Sequence, residues 1–219
     1  MAPVFFSPRG EPALVASTPA ALRSCAPGWE GRCHRQAAKE SLARFLAQHL
    51  LERKLPDLTL RRDPLGKPQI WLDAAVVGPA LSFSWSAGRL WAAVGRSERG
   101  LGLDAAAPGE FAGSYPHQRV FMESEWQAAV TLTAGNREEA AALLWSVKEA
   151  VVKAWGCGFH FLSPRQVEVQ FAGPGEHGYL WHGCLGNPDP DGTFPGGRET
   201  CPAVSVRLKE AWLSVAWGR

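Results

Sequence analysis

The stretch Leu144-Trp145-Ser146-Val147-Lys148-Glu149-Ala150-Val151-Val152-Lys153 lies inside the strongest helical signal of the chain. Asn136 stands as a cap with Glu139 three residues on, a capping-box pattern, and Ala140–Trp155 runs on from it until Gly156 and Gly158 end the helix. Leu144, Trp145, Val151 and Val152 make this helix apolar enough to be largely buried, yet residues four apart share a face, so Glu149 and Lys153 are neighbours. Taken alone, such a pair is an ordinary surface stabiliser of a helix. It also suits a site that holds a divalent metal and a phosphate together, the acid ligating the ion and the lysine taking a phosphoryl oxygen. A second acid, Asp104, ends the short apolar run Gly100–Asp104. Two carboxylates suffice for magnesium, which fills its remaining places with water and substrate phosphates.

Outward from that helix the chain divides into two parts with the same order, helix then strands. In the first, Arg35–Arg53 sets Ala38, Leu42, Phe45, Leu46, His49 and Leu50 near helical spacing, behind thirty residues punctuated by Pro, Gly and Ser. Four extended segments follow, Leu58–Leu60, Gln69–Leu72, Ala80–Trp85 and Leu90–Val94, with turn chemistry at Asp63–Gly66, Gly78–Pro79 and Ala87–Gly88, and they predict a meandering sheet. Ala105–Gly113 is small, Pro- and Gly-bearing linker sequence at the midpoint. In the second part a helix is expected at Ser124–Leu132 ahead of the long one. Strands are expected at Gln166–Phe171, Tyr179–Trp181, Ala203–Leu208 and Trp212–Trp217, and Gly183–Pro202 reads as a surface loop.

Composition excludes several classes. With 219 residues, 46% hydrophobic and 20% charged, the chain can furnish a sizeable core, and a net charge of +2 provides no global field for a nucleic-acid backbone. Any anion site is therefore local. Ten tryptophans against two tyrosines are scattered through apolar segments, where packing is their default role. Residues 1–10 carry one positive charge and two prolines, which fits neither a signal nor a transit peptide, and nowhere do eighteen apolar residues run together, so no membrane span is expected. Five widely spaced cysteines without a paired framework point to a reducing cytoplasm. Cys157 with His160, and His182 with Cys184, lack the second half-site that a zinc centre needs, and Gly100-Leu101-Gly102 lacks the third glycine and the helix of a dinucleotide loop.

The combination Gly102-Leu103-Asp104, then Trp145-Ser146 and Lys148-Glu149 with Lys153, resembles the two signature motifs of the 4′-phosphopantetheinyl transferases. Upstream, Gly66-Lys67-Pro68 and Leu81-Ser82-Phe83-Ser84-Trp85-Ser86 with Gly88 resemble the two earlier motifs of the surfactin-synthetase-activating branch, in the same order. The resemblance spans roughly Arg32 to Val169. It implies an α+β fold of two similar halves about a pseudo-twofold axis, here residues 1–106 and 107–219. It implies also a magnesium-dependent transfer of phosphopantetheine from coenzyme A to a serine of an apo acyl or peptidyl carrier protein, with release of adenosine 3′,5′-bisphosphate. In that scheme Asp104 and Glu149 ligate the metal, and Glu149 takes the serine proton. Lys153 stabilises the developing phosphate charge, with Lys148 near the pyrophosphate. Arg35, Lys67, Pro68, Ser84, Trp85 and Ser86 hold the 3′-phosphate and adenine end. Fused halves would supply internally the interface that smaller relatives make by oligomerising, so a monomer is expected.

Two positions depart from the family pattern. Ala106 stands where many members carry a second acid two residues after the aspartate, which leaves water to complete the shell. Trp85 stands where the branch has a histidine on the 3′-phosphate, and an indole offers one N–H and no charge; it would donate to the phosphate, stack on adenine, or pack beside the sheet. These departures are what would favour a degenerate homologue that binds coenzyme A or a carrier protein without catalysis. Asp104, Lys148, Glu149 and Lys153 together favour the enzyme.

Overall fold

The structure, a computed structural model, describes residues 4–6, 13–19, 30–52, 54–55, 57–72, 76–95, 100–176, 178–185 and 200–218. In the first half, α1 (Glu30–Leu51) turns Leu42, Ala43, Leu46, Ala47 and Leu50 into a core against an antiparallel sheet. It starts ahead of the expected Arg35. The sheet runs in the order β1 (Val4–Phe6), β2 (Ala13–Pro19), β7 (Arg89–Gly95), β6 (Ala80–Ser86).

No strand was expected ahead of α1, and the reason is visible in β2. Leu14 and Ala16 enter the α1 core while Ala13 and Val15 enter a second core on the opposite face. A strand buried on both faces shows no alternation of apolar and polar residues to announce it. The expected four-strand meander is likewise divided. β3 (Thr59–Arg62) and β4 (Pro68–Leu72) pair with β5 (Val76–Val77) in a small separate sheet, whereas β6 and β7 form a hairpin within the larger one. That hairpin closes through Ala87 and Gly88 at φ 51° and 66°, two left-handed residues in succession, as a type I′ turn needs.

The second half opens with β8 (Leu101–Ala106), a single 3-10 turn (Pro108–Phe111), α2 (His117–Val120), α3 (Glu123–Leu132) and α4 (Arg137–Ala154). β9 (Val167–Gly175), β10 (Gly178–Leu185), β11 (Cys201–Arg207) and β12 (Trp212–Trp217) complete it, in an antiparallel sheet ordered β8-β12-β11-β10-β9. β8 sets Asp104 opposite Ser214 of β12, so in sheet membership residues 101–106 go with the second half. Of the loop expected at 183–202, residues 186–199 lie outside the described set, while Gly183 belongs to β10 and Cys201 and Pro202 to β11.

The α+β class expected from the chain is the class observed: two larger antiparallel sheets, each backed by one long helix, beside the small β3-β4-β5 sheet. Ala13, Val15, Trp91 and Ala93 of the first sheet meet Leu101, Leu103, Ala105, Leu213, Val215 and Trp217 of the second in a shared core, giving layers in the order α1, sheet, sheet, α4. Among the described residues no helix is long and apolar enough to cross a membrane.

α4 begins where the cap was read. Asn136 Oδ1 accepts from the backbone N–H groups of Glu138 and Glu139 at 3.1 and 3.0 Å. Glu139 does not return the bond; its carboxylate takes Arg207 and the Trp212 indole N–H, each at 2.7 Å, and so ties the helix start to the sheet. Further along, β8 lies almost backbone to backbone on α4. A Cβ on Gly102 would stand 1.8 Å from the Ala150 carbonyl oxygen, and one on Gly100 1.7 Å from that of Ala154. Gly102→Ala must push strand and helix apart, and a loss of roughly 3 kcal/mol or more is expected in urea unfolding. A variant as stable as the parent would contradict this packing.

Candidate active site

The close approach of β8 to α4 sets Asp104 beside the last turns of the helix. Lys153 Nζ donates to Asp104 Oδ1 at 2.6 Å and to the Leu103 carbonyl at 3.2 Å, and lies 3.7 Å from Glu149 Oε2. Two carboxylates from different elements thus converge on one ammonium. Burial pushes the Asp104 carboxyl above the usual range, against the pull of Lys153 and Ser84, and the charge of Glu110 adds to the push. Burial also raises Glu149, opposed by Lys153 and reinforced by Asp104. For Lys153 burial works downward, but Asp104 and Glu149 outweigh it and hold the ammonium above the ordinary lysine value. Two buried carboxyl groups thus share the Lys153 ammonium, which pulls both down against the upward push of burial.

Two hollows meet at this cluster. The larger, about 720 Å³, is lined by Lys39 of α1, Arg61 and Arg62 of β3, Lys67 and Pro68, with Glu149 and Lys153 at its inner end. Its basic rim is built by the β3–β4 turn. Asp63 Oδ1 accepts from the backbone N–H groups of Leu65 and Lys67 at 2.9 and 2.8 Å, and Gly66 supplies the left-handed residue at φ 86°. Burial lowers the Lys67 ammonium, partly offset by Asp63 and Cys157. The smaller hollow, about 410 Å³, shares Lys39, Phe83, Glu149 and Lys153 with the first and adds Asp104, Glu110, Trp85 and Trp145.

Of the expected site residues, the structure brings Asp104, Glu149 and Lys153 together and places Lys67 and Pro68 on the adjoining cavity. Trp85, 41% exposed, lines the smaller hollow, away from the basic rim. Arg35 lies on α1 one turn ahead of Lys39, and its side chain is outside the described residues.

The Ser84 and Ser86 hydroxyls are engaged by carboxylates of the chain and do not line the basic cavity. Ser84 Oγ donates to Asp104 Oδ1 at 2.7 Å and accepts from the Ala105 N–H at 3.1 Å, while Ser86 Oγ donates to Glu110 Oε1 at 2.6 Å. Ser84 and Ser82, the latter accepting from the Leu103 N–H at 2.9 Å, occupy two N–H groups on the open edge of β8.

Lys148 does not join the cluster either. Its side chain is fully buried on the core face of α4, paired with Glu125 Oε2 at 2.8 Å and donating to the carbonyls of Pro164 and Val167. Sequence spacing marked it as a lysine next to Glu149, but one step along a helix turns a side chain by roughly 100°.

Lys39, Arg61, Arg62 and Glu110 went unread. Lys39 follows Arg35 by four residues on one helix face, a signal that was there to be found. Arg61 and Arg62 stand just ahead of the Gly66-Lys67-Pro68 motif, with Asp63, Pro64 and Leu65 between. Glu110 reaches the hollow through a 3-10 turn that no periodicity announces.

Residues 100–183 match the 4′-phosphopantetheinyl transferase superfamily. The segment that matches the superfamily includes Asp104, Glu149 and Lys153 and excludes the β3–β4 turn and β6. Among solved structures, the holo-[acyl-carrier-protein] synthase of Thermotoga maritima is similar at a TM-score of 0.40 and 22% identity. That similarity covers 55% of this chain and 63%, less than two thirds, of the synthase. No curated protein matches the chain by sequence.

The Lys148–Glu125 pair is a structural tie on this geometry. Lys148→Met leaves Glu125 buried and uncompensated, for an expected loss of about 3–5 kcal/mol in chemical denaturation, much of it restored by adding Glu125→Gln. Unchanged stability in the single variant would show that the buried pair is not holding α3 to α4.

Proposed function

We propose that this protein is a magnesium-dependent 4′-phosphopantetheinyl transferase of the surfactin-synthetase-activating type. It would move the phosphopantetheine arm of coenzyme A onto a serine of an apo acyl or peptidyl carrier protein and release adenosine 3′,5′-bisphosphate. What supports the reading is the convergence of Asp104 and Glu149 on one ammonium, at the seam between a basic cavity and an acidic hollow.

The donor set suits a hard divalent ion. The groups that converge are carboxylates, and the smaller hollow has no thiol or imidazole among its lining residues. Asp104 and Glu149 would hold magnesium, which when bound would neutralise charge on both the transferred and the departing parts of the pyrophosphate.

The remaining roles fall to the chain itself. Lys67, with Arg61, Arg62 and Lys39 around the same cavity, would bind the phosphates of coenzyme A, and Arg35 one turn from Lys39 belongs with this set. Lys153 would take a phosphoryl oxygen of the pyrophosphate. Glu149 would accept the proton of the carrier serine as its Oγ–phosphorus bond forms and the bridging phosphorus–oxygen bond breaks, the electron pair leaving with adenosine 3′,5′-bisphosphate. Ser84 would act one step back, by orienting Asp104. Two helix-backed sheets already buried on each other support a monomer, and the free thiols of Cys157, Cys184 and Cys201 support a reducing cytoplasm.

Incubation with apo carrier protein, coenzyme A and Mg²⁺ should add one phosphopantetheine to the carrier, read by intact mass. Glu149→Gln should slow the gain by roughly 100-fold or more. A carrier mass that stays unchanged with parent protein, while coenzyme A still raises the thermal midpoint, would replace the transferase by a binding homologue.

A further inference from the structure

Asp104 and position 106 lie two apart on β8 and therefore share the face turned toward α4. At 106 that face carries Ala106, fully buried in the core formed with α4. No acid can enter the smaller hollow from this strand beyond Asp104. The chain then turns through Pro108–Phe111 and returns a carboxylate to the same hollow from a different element, that of Glu110.

The placement of Glu110 is built rather than incidental. Its Oε1 accepts from Ser86 Oγ at 2.6 Å and reaches back toward the Ala107 N–H at 3.4 Å, so that the carboxylate is gripped at one oxygen. Ser86 is itself 2% exposed. Two residues earlier on β6, Ser84 grips Asp104 in the same way, through Oδ1 at 2.7 Å. One strand thus holds two carboxylates side by side with parallel bonds, each fixed at one oxygen and left a second for a ligand. Across the hollow stands Glu149.

Resting on the transferase reading, we propose that Glu110 is the third carboxylate of the divalent-cation site and that Ser86 positions it. Among the described residues no three acids, histidines or cysteines close into a ready cage. Magnesium keeps much of its hydration shell, and a carboxylate can hold the ion across one of those waters. Glu110 thereby supplies charge that Ala106 cannot. This is a feature of this chain's own turn after β8.

The probe is Mn²⁺ titrated onto the protein in the presence of coenzyme A, the free ion followed by its paramagnetic resonance signal. Glu110→Gln, isosteric and able to keep the Ser86 bond, should weaken Mn²⁺ binding roughly tenfold, and Ser86→Ala by less. Glu138→Gln, on the exposed first turn of α4, should bind as the parent does. Glu110→Asp keeps the charge but shortens the reach and should fall between parent and Glu110→Gln, which guards against a folding defect in either variant. Parent-like Mn²⁺ affinity in Glu110→Gln overturns the inference and leaves the transferase reading standing. Parent protein that takes up no Mn²⁺ with coenzyme A present removes both.

Discussion

The site depends on how closely one strand approaches one helix. Gly100 and Gly102 let β8 lie on the carbonyls of Ala150 and Ala154 at distances no Cβ could tolerate. At that separation Asp104 comes within 2.6 Å of the Lys153 ammonium and Lys153 also reaches the Leu103 carbonyl. With ordinary side chains at 102 and at 100, just ahead of β8, the strand would stand farther off, and the three charges would no longer share a point. The glycines are therefore a condition of the electrostatics, although neither touches a charged group of the cluster.

α4 serves two environments at once, and its helical period keeps them apart. Lys148 and Lys153 are five residues apart, roughly 140° around the axis. The first is sealed in the core, where Glu125 and two carbonyls answer its ammonium; the second opens on the hollows, where Asp104 and Glu149 answer it. Glu125 is in turn held by the N–H groups of Met122 and Val169, so the buried pair binds α3, α4 and β9 into one block. That block gives the exposed face of α4 a rigid base, which a site of converging charges needs if its geometry is to survive their mutual repulsion.

Much of this was legible in the sequence, and the divide between what was read and what was missed follows range. α4, its Asn136 cap and the Glu149–Lys153 spacing are local, and a helix delivers residues four apart to one face whatever surrounds it. Asp104 was expected at the end of its strand, and β8 instead runs on through Ala105 and Ala106, which pair with Leu213 and Trp212. What escaped was decided by tertiary partners. β2 carries no alternation because both its faces are covered, and the meander of four strands splits because β4 pairs with β3 and β5 and not with β6. Ser84 and Ser86 were expected to offer hydroxyls to a phosphate, but Asp104 of β8 and Glu110 of the turn after it take them. Lys148 sits one residue from Glu149 in sequence and on another side of the helix. In each case residue type was read correctly, and the missing knowledge was which neighbour would answer it.

The hydroxyl pair on β6 shows what the arrangement is built to do. A serine that donates to a carboxylate stabilises its charged form, and Ser84 pulls Asp104 downward while burial and Glu110 push it up. A protein that only needed to bury Asp104 could have left it protonated or replaced it by an apolar residue of similar size, at little cost to stability. Here Ser84 and Lys153 favour the charged form of Asp104 in a confined place beside a basic cavity, and the smaller hollow sets three acids, Asp104, Glu110 and Glu149, against two lysines, Lys39 and Lys153. Such crowding disfavours the folded protein by itself and becomes favourable only when further positive charge enters. The excess of carboxylate is thus the physical reason for expecting a divalent ion at the seam, and the basic cavity alongside is the reason for expecting that ion to arrive with phosphate.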